Sequence, residues 1–187
     1  MSVSTNDLKN GMTLQLDGQL WTVLEFGHHK PGKGQAVVRT KLRNLKSGAV
    51  VDRTFRADEK VGLAILDKRE MQYLYREGDS LVFMDNETFE QHHVPEQVAK
   101  DAVKYLSEGA NGMIATYEGT AISVELPAAV SLAVTKTDPG VRGDRVSGAM
   151  KPATLETGIT IQVPLFVEEG DRVRVDTRTG EYLTREK

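Results

Sequence analysis

The sequence predicts an all-β protein built as three small barrels. Three observations carry that prediction. Runs of roughly five to ten residues alternate apolar and polar side chains with the period of a strand. Turn pairs such as Asp17-Gly18, Gly78-Asp79 and Glu118-Gly119 separate those runs at short intervals. A hydrophobic fraction of 39% in 187 residues is low for one large core, and it suits three units of about 60 residues better.

In the first segment, residues 1–64, the runs 12–17 and 19–25 flank Asp17-Gly18, a strong hairpin signal, so the chain opens as a meander. Lys30-Pro31-Gly32-Lys33-Gly34 follows. Pro31 fixes its own φ and biases Lys30 toward extended backbone, while Gly32 and Gly34 permit the positive φ of a tight reversal. Lys33 is thereby expected at the apex of a finger. Four extended residues on each arm would carry its ammonium about 13 Å beyond the domain. Taken alone, the loop also fits an ordinary Gly-rich turn with a solubilising Lys. It is not a phosphate-binding P-loop, because Gly34 and a strand follow the Lys where Ser/Thr and a helix are required.

Residues 35–44 alternate, with Ala36, Val38, Thr40 and Leu42 on one face and Val37, Arg39, Lys41 and Arg43 on the other. The first face suits a core and the second is a basic stripe. Leu45-Lys46-Ser47-Gly48 then turns the chain into 49–55, completing an SH3-like barrel of the kind found in ribosome-associated proteins. Such a stripe is commonly just a solvated strand face. Its place behind the Lys33 loop argues for RNA.

The middle segment, 65–130, offers strands at 70–76, 80–84, 88–92, 112–117 and 120–125, with Glu77-Gly78-Asp79 and Asp85-Asn86-Glu87 as turns. One helix is expected over 95–107, where Val98, Ala99, Ala102, Val103 and Leu106 recur at helical spacing. Five short strands with a helix interposed fit an OB-type barrel. The last segment, 131–187, offers strands at 131–136, 158–163, 171–175 and 181–185 and a long loop over 137–153. Glu77-Gly78-Asp79-Ser80-Leu81-Val82-Phe83 is echoed by Glu169-Gly170-Asp171-Arg172-Val173-Arg174-Val175, as expected of two barrels of similar design.

The net charge of -3 conceals a gradient. Residues 1–64 carry 10 Lys/Arg against 6 Asp/Glu, 65–130 carry 5 against 12, and 131–187 carry 9 against 9. A basic first segment beside an acidic middle implies contact with phosphate at selected places. With no Cys, disulfides and thiolate metal sites are excluded. No apolar run reaches the roughly 18 residues of a membrane span, and the first residues resemble no secretion signal, so a soluble cytoplasmic protein is expected. His28-His29 and His92-His93 lack a third ligand at useful spacing, and no nucleophile with a base, carboxylate pair or dinucleotide fingerprint stands out. No metal, cofactor, small-molecule substrate or enzymatic activity is expected.

Four ordered blocks carry a resemblance: Lys30-Pro31-Gly32-Lys33-Gly34-Gln35-Ala36 with Arg39-Thr40-Lys41-Leu42-Arg43; Asp85-Asn86-Glu87-Thr88-Phe89-Glu90-Gln91; Lys151-Pro152-Ala153-Thr154-Leu155-Glu156-Thr157-Gly158 running into Val163-Pro164-Leu165-Phe166-Val167; and Asp176-Thr177-Arg178-Thr179-Gly180-Glu181-Tyr182. Along nearly its whole length the chain resembles the bacterial translation elongation factor P family. The resemblance implies an N-terminal SH3-like or KOW-like barrel and two OB-fold barrels in an L-shaped arrangement. It implies binding to both ribosomal subunits between the peptidyl and exit sites, and relief of stalling at consecutive prolines.

By the same resemblance the tip residue, Lys33, points at the acceptor end of the peptidyl tRNA, supported by Lys30, Pro31, Gly32 and Gly34. Many members extend that residue by post-translational modification, and others use a bare Lys or a modified Arg. With Lys at the tip the modified Arg is disfavoured, and a lysine-modifying enzyme is a partner only if the residue is extended. The loop 141–150, notably Gly143, Asp144 and Arg145, would lie toward the exit-site codon, and Tyr182 and Arg185 would contact the anticodon arm or nearby RNA. A monomer is expected. An RNA- or protein-binding adaptor on the same barrels is the alternative function.

Overall fold

The computed structural model describes residues 1–32, 34–140 and 148–186. Its first sheet is built from β1 (Ser2–Ser4), β2 (Thr13–Leu16), β3 (Gln19–His29), β4 (Val37–Asn44), β5 (Val50–Arg56) and β6 (Lys60–Ala64), in the order β1-β6-β2-β3-β4-β5. Asp17 and Gly18 take φ of 52° and 75°, and two successive positive values are what a tight hairpin between β2 and β3 needs. The alternation expected for 35–44 is seen in β4: Val38, Thr40 and Leu42 are buried, whereas Arg39 and Arg43 are exposed. Val38 and Leu42 join Leu8, Leu14, Leu16, Val23, Phe55 and Val61 in one core. Thr40 is buried without penalty because its hydroxyl donates to the Arg53 carbonyl at 2.8 Å.

The second sheet contains β7 (Asp67–Glu77), β8 (Ser80–Asp85), β9 (Gln91–Pro95), β10 (Asn111–Tyr117) and β11 (Thr120–Glu125), ordered β11-β10-β7-β8-β9. The third contains β12 (Ala129–Thr137), β13 (Met150–Leu155), β14 (Thr160–Pro164), β15 (Arg172–Asp176) and β16 (Tyr182–Glu186), ordered β14-β13-β12-β15-β16. Counted within each sheet, both orders run 3-2-1-4-5 when the second sheet is read from its β9 edge. The two share one topology. The chain is all-β, with three β-rich domains. It divides into two compact units, residues 1–68 with 115–123 and residues 69–114 with 124–187, the division cutting through β7, β10 and β11.

Shared topology does not explain the sequence echo. Glu77-Gly78-Asp79 joins the first and second strands of its sheet, whereas Glu169-Gly170-Asp171 leads into the fourth strand of the other. The likeness is local: a positive-φ glycine, 57° at Gly78 and 88° at Gly170, before an alternating strand.

Three expectations need correction. The helix over 95–107 is a single turn, α1 (Glu96–Ala99), followed by a 3-10 segment Lys100–Tyr105, with Lys100 at φ 49° between them. Of its apolar stripe only Ala99 and Leu106 are buried, and a short helix without a buried face has little to hold it regular. Its far end is claimed by other contacts instead: Tyr105 packs on the C-terminal core, and Thr157 Oγ1 donates to the Lys104 carbonyl at 2.6 Å. Next, β13 replaces part of the loop expected over 137–153. Pro152 concealed it, yet among the described residues Pro152 pairs only with Gln162 of β14, and pairing with β12 begins at Ala153. Last, the strand placed at 88–92 runs Gln91–Pro95, because residues 85–90 form a closed loop.

Candidate nucleic-acid interface

Past the bulge between Val23 and Glu25, β3 runs to His29 against β4, and β5 continues the sheet on the other side of β4. Residues directly opposite in antiparallel strands share a face, so register alone decides what accompanies the basic stripe. Arg39 stands between Gly27 and Thr54, Lys41 between Glu25 and Asp52, and Arg43 between Thr22 and Val50. Val37, nearest the loop, stands between His29 and Arg56.

The cations are therefore not equivalent. Lys41 is half-buried, and its Nζ lies 3.4 Å from Glu25 Oε2. Arg39 and Arg43 are exposed and make no ion pair among the described residues. Arg56 extends the face toward the loop, which the sequence alone did not reveal, since nothing in a single strand's alternation says which residue of β5 meets Val37. Paired with the right register, the Val-Arg-Thr-Lys-Leu-Arg alternation would have found it. A Cβ on Gly27 would meet nothing within 4 Å, so beside Arg39 the surface is open.

At the end of this arm Lys30 and Gly32 are exposed and Pro31 is partly covered. Gly34 takes φ 126°, and a Cβ built on it would touch Pro31 Cγ at 3.5 Å. Gly32 does not use its freedom, lying outside the positive-φ region, so the reversal draws on one glycine where two were expected. Lys33, and Gly143, Asp144 and Arg145 of the loop 141–150, lie outside the described residues.

Tyr182 and Arg185 are three apart in β16, a spacing that normally sends side chains to opposite faces. A bulge between their partners brings them together: Tyr182 pairs Val175 and Arg185 pairs Val173, two core-facing positions. Tyr182 packs partly buried on the C-terminal core. The Arg185 guanidinium sits 5.0 Å from the centre of the Phe166 ring and 3.4 Å from Asp171 Oδ2. Among the described residues no three His, Asp or Glu side chains gather as metal ligands, and no helix is long and apolar enough to cross a membrane.

Three family models match the chain in succession: the elongation factor P KOW-like domain over residues 4–61, the elongation factor P OB domain over 66–124, and the elongation factor P C-terminal domain over 130–185. An elongation factor P of Acidothermus cellulolyticus is 63% identical over 182 residues, covering 97% of both chains. The chain belongs to the elongation factor P family. The elongation factor P of Moorella thermoacetica, 55% identical, covers 98% of this chain and is itself 99% covered. Among solved structures, translation initiation factor 5A of Methanococcus jannaschii shares the fold of 66% of this chain at a TM-score of 0.56 and 24% identity, with 93% of its own length covered. Elongation factor P is a family of translation elongation factors, and the KOW-like assignment falls on the six-stranded sheet that bears the basic face.

Proposed function

We propose that this elongation factor P relative binds the ribosome between the peptidyl and exit sites and speeds peptide-bond formation at consecutive prolines. It does so by holding the acceptor end of the peptidyl tRNA with the loop that contains Lys33. The observation that carries this reading is the register of β3, β4 and β5. It assembles Arg39, Arg43 and Arg56 on one open face of the sheet from which that loop springs.

The chemistry asked of the protein is positional. Proline restricts the geometry of both nascent chain and nucleophile, and a peptidyl tRNA that wanders spends little time with reacting atoms aligned. A cation near a phosphate at about 4 Å is worth roughly 1 kcal/mol in water and about 4 at an effective dielectric of 20. Each 1.36 kcal/mol removed from a barrier is about tenfold in rate, so one well-placed ammonium suffices for a large effect. The factor makes and breaks no bond itself. Lys33 acts either bare or extended by a single modification installed by a dedicated enzyme, and the protein works as a cytoplasmic monomer.

Translation of a Pro-Pro-Pro message by purified ribosomes, with and without the protein, tests this. The reading expects faster synthesis through the proline run and no change on a message lacking it. Equal rates in all four reactions would contradict it.

A further inference from the structure

Three hairpin loops, one in each β-domain, are built to one plan: Asn44–Ala49 between β4 and β5, Asp85–Glu90 between β8 and β9, and Asp176–Glu181 between β15 and β16. In each, the first residue's Oδ1 accepts the N–H groups two and three residues on. The distances are 2.9 and 2.9 Å at Asn44, 2.7 and 3.0 Å at Asp85, and 2.8 and 3.2 Å at Asp176. Its carbonyl accepts the N–H of the fifth residue at 2.9, 2.9 and 2.8 Å, and its own N–H donates to the carbonyl of the sixth. The fourth residue is Ser47, Thr88 or Thr179, whose hydroxyl accepts the N–H of the sixth in every case.

This plan forces positive φ on the fifth residue, and two of the loops put glycine there, Gly48 and Gly180, both at φ 75°. The third puts Phe89 there, at φ 61°. A bulky residue is a genuine outlier in that conformation, and packing does not explain it. Phe89 is 70% exposed and its ring meets no other ring or guanidinium among the described residues. The charge at the third position is inverted as well, while the sixth, Glu90, has an acidic counterpart in Glu181. The third residue of the glycine loops is Lys46 or Arg178, whereas beside Phe89 it is Glu87, with Glu90 following. Both glutamates are exposed and form no ion pair among the described residues.

We propose that the loop Asp85–Glu90 is a docking site for a cationic protein surface, with a Lys or Arg of the partner seated on the Phe89 ring between Glu87 and Glu90. Cation–π attraction and carboxylate pairing act on the same group there. The same carboxylates repel phosphate, which argues against a nucleic-acid occupant despite the aromatic ring. Strain kept at one exposed position, where the molecule's own equivalents use glycine, is the mark of a constraint imposed from outside the fold. The proposal rests on the ribosome reading above, and the partner it expects is a basic ribosomal protein.

The test uses 70S ribosomes carrying a peptidyl-site tRNA, with the wild-type chain, Phe89→Gly, and a variant bearing p-benzoyl-phenylalanine at position 89. Phe89→Gly is expected to melt at or above the wild-type temperature, because it restores the loop's preferred residue, and to pellet with ribosomes about fivefold to tenfold more weakly. Light should cross-link position 89 to a Lys/Arg-rich segment of a ribosomal protein. A lower melting temperature for Phe89→Gly, undiminished pelleting, cross-links to ribosomal or transfer RNA, or no cross-link from a bound complex would each overturn the docking loop. Failure of the wild-type chain to pellet would overturn the ribosome reading, and this partner with it.

Discussion

Lys41 and Glu25 face each other across β4 and β3 with Nζ 3.4 Å from Oε2, while the next position on the same face pairs Arg39 with Gly27. Among the described residues one cation of the stripe is paired with a carboxylate and its neighbour is not. Arg39→Glu should therefore weaken ribosome association about tenfold or more at fixed salt, and Lys41→Glu only about threefold. Removing Arg39 should also flatten the plot of log K against log salt by about 1. Equal losses from the two charge reversals would show that the Glu25 pairing plays no part.

Arg56 lies opposite Val37, at the loop end of the same face. Arg56→Glu should match Arg39→Glu within about threefold, because each removes one phosphate contact. An inactive Arg56 would confine the interface to β4, and the β4–β5 register would lose its functional meaning. Pelleting of ribosomes across a salt series measures both variants.

Two glycines separate packing from access. A Cβ on Gly62 would lie 2.8 Å from the Gln15 carbonyl oxygen of the paired strand, whereas one on Gly27 meets nothing within 4 Å. Gly62→Ala should cost about 1–3 kcal/mol by forcing β6 away from β2, and Gly27→Ala should leave stability unchanged within about 0.5 kcal/mol. Urea denaturation followed by circular dichroism distinguishes them, and equal midpoints would contradict the close approach of β6 to β2.

Asp85 is buried, and its carboxyl is held below the usual carboxylate range by the N–H groups of Thr88 and Glu87, helped by Arg69 at 3.1 Å. The native state thus keeps it ionised at a lower pH than the unfolded chain does. The stability it contributes is full above the unfolded value, about 3.9, and is lost as pH falls through the native one. Asp85→Asn keeps an oxygen for the two N–H groups, as Asn44 does in its own loop, but has no proton to take up. The variant's stability should fall less steeply below about pH 4 than the wild type's. Acid limbs of equal slope would mean that Asp85 does not set the acid response.

Elements with a local cause were legible in the sequence. Asp17-Gly18 and Glu118-Gly119 carry their turn geometry in two residues each, and both pairs take positive φ in succession. The β4 alternation predicted which side chains are buried because one face must be covered. What stayed hidden depends on partners. Pro152 masks β13 until it is known that pairing with β12 begins at Ala153, and Lys100 gives no sign that it will interrupt a helix. Arg56 joins the basic face only through register, and Tyr182 and Arg185 share a side only through a bulge. The three-loop plan was present in the sequence as Asn/Asp, two residues, Ser/Thr and then Gly, and Phe89 in the glycine's place hid its third copy.

On the proposed reading the Lys33 ammonium is the group that acts. Lys33→Ala tests it when synthesis through Pro-Pro-Pro is timed in a purified system with ribosome pelleting run in parallel. If the Lys33 side chain projects from the fold as the sequence predicts, its loss should change stability by no more than about 0.5 kcal/mol. The variant should therefore fold and pellet like the wild type, while its rate through the proline run falls to that seen without any factor. A folded, ribosome-bound Lys33→Ala protein that still restores full speed would contradict the account.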